Sequence, residues 1–418
     1  MVDRPVYVIV GASLTGAKAA EELRAAGFGG RIVLIGEEQE QPYERPPLSK
    51  GYLQGSAARE KAHVHDADWY DAHDVELRLG VRVTAIDPGA HRVTLADGEQ
   101  VEYTKLLLAT GSRPRRLEVP GADLAGVRYL RTLPEADALL ADLQTVKRIV
   151  VIGAGWIGLE TAAAARHHGA DVTVVELDQA PLYRVLGGEV AAIFESVHRG
   201  HGVDFRFGTG VQEFRGDGGR LTTVVLSDGT ELPADLAIVG VGIAPATELA
   251  ENAGLAVDHG VLVDTDLSTS DPDVYAAGDV AAPAHPLLDS RVRVQHWANA
   301  LNGGKAAARS MLGEPTAYDR VPYFFTDQFD LGMEYAGWVE PGGYDQVAFR
   351  GDPTVRDGKT PEFIAFWLQG GRVLAGINVN VWDVQDDIQA LVRAGWAGEK
   401  VDVSRLTDPS VALGEVRD

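Results

Sequence analysis

Two short glycine-rich stretches hold the residues whose types and spacing best fit a chemical task. One reads Gly11-Ala12-Ser13-Leu14-Thr15-Gly16, the other Gly153-Ala154-Gly155-Trp156-Ile157-Gly158. The second satisfies G-x-G-x-x-G in full. Its first glycine permits a tight turn, its middle glycine lets the backbone approach a pyrophosphate, and its third lets a helix pack closely on a strand. The start of that helix offers unpaired N–H groups and a positive dipole end to phosphate. Glu176 ends the next apolar run, at about the 20-residue spacing expected of a ribose-binding acid. A carboxylate there accepts from a ribose 2′-hydroxyl and repels a 2′-phosphate. Its neighbours Leu177, Asp178 and Gln179 supply no arginine, and Arg184 is the nearest basic residue. NAD(H) is therefore expected over NADP(H). The first turn has Ser13 in place of the middle glycine; serine is small, and its hydroxyl adds a possible hydrogen bond. Glu37 stands where a second ribose acid would stand. Two dinucleotides are expected, one at each turn.

Composition narrows the chemistry. There are no cysteines. That excludes disulfides, thiolate metal sites, iron–sulfur ligation of the usual kind and redox-active thiols. Any redox chemistry must then be carried by a bound cofactor, and no metal is expected. The formal net charge of −23 opposes non-specific binding to nucleic acid and to anionic membranes. No apolar run approaches the roughly 20 residues of a membrane helix, and the first residues lack the pattern of a secretory signal. The expectation is a cytoplasmic protein with no membrane or nucleic-acid partner.

The two turns need elements to hold them, and the chain supplies the same set twice. Val6-Tyr7-Val8-Ile9-Val10 precedes the first turn and Ile149-Val150-Val151-Ile152 the second. Alanine-rich helical stretches follow, from Ala17 to Ala26 and from about Ile157 to His168. Next come strands ending at Ile35 and Glu176, then hairpin signals at Asp97-Gly98 and Asp228-Gly229. Each copy closes on an apolar strand, around Leu106-Leu107-Leu108 and Leu236-Ala237-Ile238-Val239. A strand near Val274 and a helix from about Trp297 to Leu312 follow. Beyond Pro322 the chain reads as strands, among them Phe363 to Leu368 and Val373 to Ile377, and a helix from Val384 to Ala394. Asp408 to Asp418 are expected to form a loose tail.

In order along nearly the whole chain stand Pro46-Pro47-Leu48-Ser49-Lys50, Ala109-Thr110-Gly111, Arg128 to Leu133, Gly153 to Glu160, Thr269-Ser270-Asp271-Pro272, Gly278-Asp279, Asn299-Ala300-Leu301 and Thr326-Asp327-Gln328. This set resembles the FAD- and NAD(H)-dependent ferredoxin reductases of bacterial oxygenase systems, the putidaredoxin reductase-like family. The resemblance implies an α/β fold with two Rossmann-like dinucleotide-binding domains, of glutathione reductase type, and a C-terminal α+β domain. It places an FAD-binding domain at residues 1–114 and 244–321, an NAD(H)-binding domain at 115–243 and the C-terminal domain at 322–418. FAD would lie around Gly11, Ser13, Leu14, Thr15 and Gly16, with Glu37 on its adenine ribose and Arg45 toward its pyrophosphate. Val83, Thr110, Arg131, Asp279 and Trp297 match further flavin-side positions. NADH would lie around Gly153, Gly155, Ile157, Gly158, Glu176 and Gly242.

The resemblance also assigns Lys50 and Glu160 as a catalytic pair beside the flavin. A lysine there stabilises a reduced, anionic flavin by charge, and the glutamate holds the lysine. In related disulfide reductases the stretch before this lysine carries two reactive cysteines. Here Tyr43-Glu44-Arg45-Pro46-Pro47-Leu48-Ser49 has none, which excludes that branch. Tyr323 and Phe325 stand where the family often has tryptophan. The implied reaction is hydride transfer from NADH to FAD, then single-electron transfer to a 2Fe-2S ferredoxin that feeds an oxygenase. Ferredoxins are usually acidic, so docking on this acidic chain needs a local basic patch; Arg291, Arg293, Lys305 and Arg309 are candidates, with Phe325 as a further contact. A monomer or weak dimer is expected. Two other readings stay open: an NADH oxidase or other FAD-dependent NADH:acceptor reductase, and a non-catalytic flavoprotein with a binding role.

Overall fold

The structure, a computed structural model, describes residues 4–314, 317–356 and 359–416. The chain divides into two compact units. The first is Met1–Glu44, Arg59–Arg113 and Ala244–Pro322; the second is Arg45–Ala58, Pro114–Ile243 and Tyr323–Asp418.

In the first unit, strand Val6–Val10 pairs in parallel with Arg31–Ile35 on one side and Lys105–Leu108 on the other. Val75–Arg78 and Val274–Ala276 extend the two edges. Val8, Ile9, Val33, Leu34, Leu106 and Leu107 are fully buried. Their unbroken apolar runs, without polar alternation, are what a parallel sheet covered on both faces requires. The second unit repeats the plan in its four main strands, while its fifth strand, at one edge, precedes them in the chain rather than following. Arg148–Ile152 pairs with Asp171–Glu176 and Leu236–Val239, and Val203–Phe207 and Val127–Tyr129 form the edges. Each unit also carries a three-stranded antiparallel sheet whose second hairpin turns at the expected Asp-Gly pair, between Arg92–Leu95 and Gln100–Glu102 or between Arg220–Leu226 and Glu231–Pro233. The internal repeat is thus a repeat of topology over four parallel strands and the antiparallel sheet.

The two turn-forming helices begin earlier than their alanine content suggests, at Leu14 and Trp156. Ser13 and Gly155 stand at the N-caps in extended conformation, so the helix starts directly inside each glycine turn.

The C-terminal segment forms a five-stranded antiparallel sheet in the order Tyr323–Gln328, Leu331–Gly337, Arg372–Val379, Phe363–Gln369, Gln346–Gly351. Helix Gln385–Trp396 packs on it, and Gly376 leaves room for Ile388 at the contact. Trp367 on this sheet is 1% exposed, and its indole donates to the Leu186 carbonyl at 3.1 Å. The sheet shares one core with the second parallel sheet, which is why both fall in the same compact unit.

The expectation of a loose tail is corrected. Arg350 donates to the carbonyls of Leu406, Pro409 and Val411, and Leu413 and Val416 are buried. Residues 417 and 418 lie outside the described residues.

Candidate functional site

In the first unit, Gly11 has φ +121°, and a side chain there would collide with the Ala109 carbonyl. A side chain on Gly16 would collide with the Gly11 carbonyl. Both glycines are therefore fixed by the protein itself. Ser13 leaves its helix uncapped; its hydroxyl faces the Tyr43 carbonyl at 3.4 Å. The N–H groups of that first turn stay available to an anion. Thr15 is buried because helix Trp297–Met311 approaches it through Gly304, and Gly278 approaches its hydroxyl. Asp279 lies in the short turn Gly278–Val280 and accepts from Ser112 Oγ at 2.7 Å. Trp297 is the first residue of helix Trp297–Met311, whose N-terminus has no side-chain cap. Thr110 donates to the Ala246 carbonyl at 2.8 Å. Glu37 is exposed, 3.8 Å from Arg82, and Val83 is buried at the start of its strand.

In the second unit, Gly153 has φ +97°, and a side chain there would collide with the Gly240 carbonyl. Gly158 is equally closed in by the Gly153 carbonyl. Gly155 differs: a Cβ there meets no protein atom within 4 Å. The middle position is small although the protein leaves it room, as the approach of a pyrophosphate from outside would require. An open middle position between two closed glycines suits a dinucleotide. Glu176 caps the loop by accepting from the backbone N–H groups of Ala154 at 2.6 Å and Asp178 at 3.0 Å. Arg184 is held by Asp178 at 2.7 Å and 3.2 Å. Ile157 is 44% exposed beside the turn, and the Gly242 carbonyl accepts from Arg115.

The same unit brings Lys50 and Glu160 together at 2.7 Å. The two prolines of Pro46–Ser49 pre-set a short helical turn, and Lys50 follows it. Glu160 comes from helix Trp156–His167. Its side chain is 3% exposed and that of Lys50 13%. An isolated buried carboxylate is costly, yet Glu160 accepts from three donors: Lys50, Ser49 and Thr326 Oγ1, the last at 2.7 Å. The Lys50 ammonium also lies 5.3 Å from the Phe325 ring centre, within cation–π range. Arg45 donates to the Arg131 carbonyl, so these two predicted residues are neighbours in the second unit.

Ser49 and Thr326 stand within the sequence motifs, and their role emerges only from these contacts to Glu160. The strand Tyr323–Gln328 carries a readable signal: its buried side presents Thr326 and Gln328, two polar residues at alternate positions. Of the basic candidates, Arg309 is paired with Glu22 at 2.6 Å and Glu314 at 2.9 Å, and Arg291 donates to the carbonyls of Val263 and Ala282. Lys305 makes no ion pair among the described residues.

Comparison with known proteins places this geometry in a family. Residues 5–304 match the pyridine nucleotide-disulphide oxidoreductase family and residues 323–417 the reductase C-terminal family. The chain is 41% identical to rhodocoxin reductase of Rhodococcus erythropolis, over 89% of this chain and 86% of that one. It is also 41% identical to putidaredoxin reductase of Pseudomonas putida, over 89% and 88%. The solved covalent complex of putidaredoxin reductase with putidaredoxin superposes with TM-score 0.91, at 39% identity over 99% of this chain and 98% of that one. A ferredoxin reductase from Rhodopseudomonas palustris superposes with TM-score 0.92, at 36% identity over 99% and 100%. The chain belongs to the pyridine nucleotide-disulphide oxidoreductases, within the putidaredoxin reductase-like ferredoxin–NAD(+) reductases, which are FAD flavoproteins using NAD(H).

Proposed function

We propose that this chain is an NADH:ferredoxin reductase that supplies a 2Fe-2S ferredoxin, and through it an oxygenase, with single electrons. The observation that carries the reading is the buried Lys50–Glu160 ion pair, held in the unit whose glycine turn leaves the Gly155 position open. A charged pair this buried is hard to account for by stability, because apolar residues of similar volume often serve as well. In a chain with no thiol, it supports a site for a bound redox cofactor.

FAD, when bound, supplies the conversion of one hydride into two single electrons. The chain's own residues bind, orient and tune. The first turn (Gly11, Ser13, Leu14, Thr15, Gly16) would hold the FAD pyrophosphate at a helix start, with Glu37, Arg45, Val83, Thr110, Arg131, Asp279 and Trp297 as further flavin-side residues. The second turn, with Gly153, Gly155, Ile157, Gly158 and Gly242, would hold NADH, and Glu176 would favour the ribose that lacks a 2′-phosphate. Lys50 would present its charge where negative charge develops on reduction, and Glu160 would fix that ammonium. Lys305, Arg309 and Phe325 are proposed ferredoxin contacts. The cytoplasm is the proposed compartment; no helix among the described residues is long and apolar enough to cross a membrane.

Turnover with NADH separates this reading from its competitors. Rates with a panel of 2Fe-2S ferredoxins should exceed those with oxygen and quinones. Equal or faster turnover with oxygen would instead make the chain an oxidase, and no turnover with any acceptor would leave a binding role.

A further inference from the structure

Glu160 is one end of a line of buried hydrogen bonds that runs away from Lys50. Thr326 Oγ1 donates to Glu160 Oε1 at 2.7 Å and accepts from Gln328 Nε2 at 3.0 Å. Gln328 Oε1 lies 2.8 Å from His198 Nε2, on helix Tyr183–Gly200. Glu160, Thr326, Gln328 and His198 are 3%, 1%, 0% and 0% exposed. Donor chemistry fixes the direction of the line. A carboxylate paired with Lys50 has no proton to give, so the Thr326 hydroxyl donates to it and accepts from Gln328. The Gln328 amide then turns its nitrogen to Thr326 and its oxygen to His198. His198 must carry its hydrogen on Nε2, and its buried Nδ1 has no hydrogen-bond partner. Burial pushes this imidazole down to about 4, which keeps it neutral. Every donor points toward the carboxylate, and aligned donors of this kind strengthen one another.

We propose that Thr326, backed by Gln328 and His198, is a positioning residue for Glu160, locking the carboxylate and through it the Lys50 ammonium. The proposal rests on the reading that Lys50 and Glu160 act in the NADH-dependent step. The need for such a lock follows from the other contacts. A lysine side chain is flexible and follows the charge it pairs with. Ser49 also bonds Glu160, but it belongs to the same short turn as Lys50 and would move with it. Thr326 comes from the C-terminal sheet and supplies an anchor independent of both partners. A carboxylate held only by Lys50 and Ser49 could swing with their turn.

Two measurements on the flavin-loaded protein test this. In the wild type, nitrogen-15 NMR of histidine side chains should show His198 as the neutral Nε2–H tautomer from about pH 6 to 8, with His198→Gln identifying the signal. An Nδ1–H tautomer would reverse the line and overturn the proposal. In stopped flow, Thr326→Val keeps the shape and loses the hydroxyl. It should cut the limiting rate at which NADH bleaches the flavin by about tenfold or more. The apparent affinity for NADH should stay within about twofold, and Thr326→Ser should recover most of the rate. A wild-type rate in Thr326→Val, or no recovery in Thr326→Ser, would overturn the proposal. If NADH fails to bleach the wild type, the underlying reading has failed instead, and the tautomer still judges the donor line.

Discussion

Glu160 is buried almost completely, and its charge is tolerated because three side chains from two other parts of the second unit donate to it. Glu160→Gln should keep the fold while slowing flavin reduction by NADH by about a hundredfold, the scale of losing one preorganised charge. Rapid-mixing absorbance checks this; an unchanged rate would remove Glu160 from the mechanism. Cofactor choice also rests on single residues. Arg184, the nearest arginine to Glu176 in the sequence, is held by Asp178. Asp178→Ala should free it and raise the NADPH-to-NADH ratio of kcat/KM, and a ratio no higher than wild type would show that Glu176 alone sets the preference. His198 adds a pH effect. Its folded pKa of about 4 lies below the ordinary 6.5 because burial disfavours the charged ring. Between those values the unfolded chain binds the extra proton, so stability falls as pH drops from about 6.5 to 4, by about 3 kcal/mol in all. Urea melts of wild type and His198→Gln across that range should differ by this slope.

Elements explain which parts of the site were legible in the sequence. The glycine turns were legible because their spacing is local: Gly158 is closed in by the Gly153 carbonyl of the same turn, whereas the Gly240 carbonyl that closes in Gly153 arrives from a distant strand. The Asp-Gly hairpins were legible for the same reason. The role of Thr326 and Gln328 was not legible, because buried polar residues on a strand acquire meaning only when Glu160 and His198 arrive from distant helices. The order of the tail was not legible, because the guanidinium that pins it, Arg350, lies on a strand far back in the chain. The glycine geometry separates binding from folding. Gly155→Ala should leave thermal stability near wild type and weaken NADH binding, since the new methyl meets no protein atom. Gly158→Ala should lower stability itself, since its methyl collides with the Gly153 carbonyl. Thermal melts and NADH titrations of both variants check the contrast, and equal melting losses would contradict it.

At the scale of the whole molecule, charge dominates. A net −23 repels an acidic ferredoxin at long range, so docking depends on local cations. Arg309 already faces Glu22 and Glu314, which leaves Lys305 as the more available candidate. Lys305→Glu should slow ferredoxin reduction, most at low salt, and spare NADH-dependent ferricyanide reduction. Wild-type rates with both acceptors would move the docking surface elsewhere. The two topological copies, legible in the sequence as a repeat, give the molecule its two proposed dinucleotide sites. The measurement that tests this account most directly is anaerobic stopped-flow mixing of the flavin-loaded protein with NADH and, separately, with NADPH. Rapid bleaching of the flavin by NADH, with much slower bleaching by NADPH, is the predicted result. A flavin that NADH leaves oxidised would contradict the account.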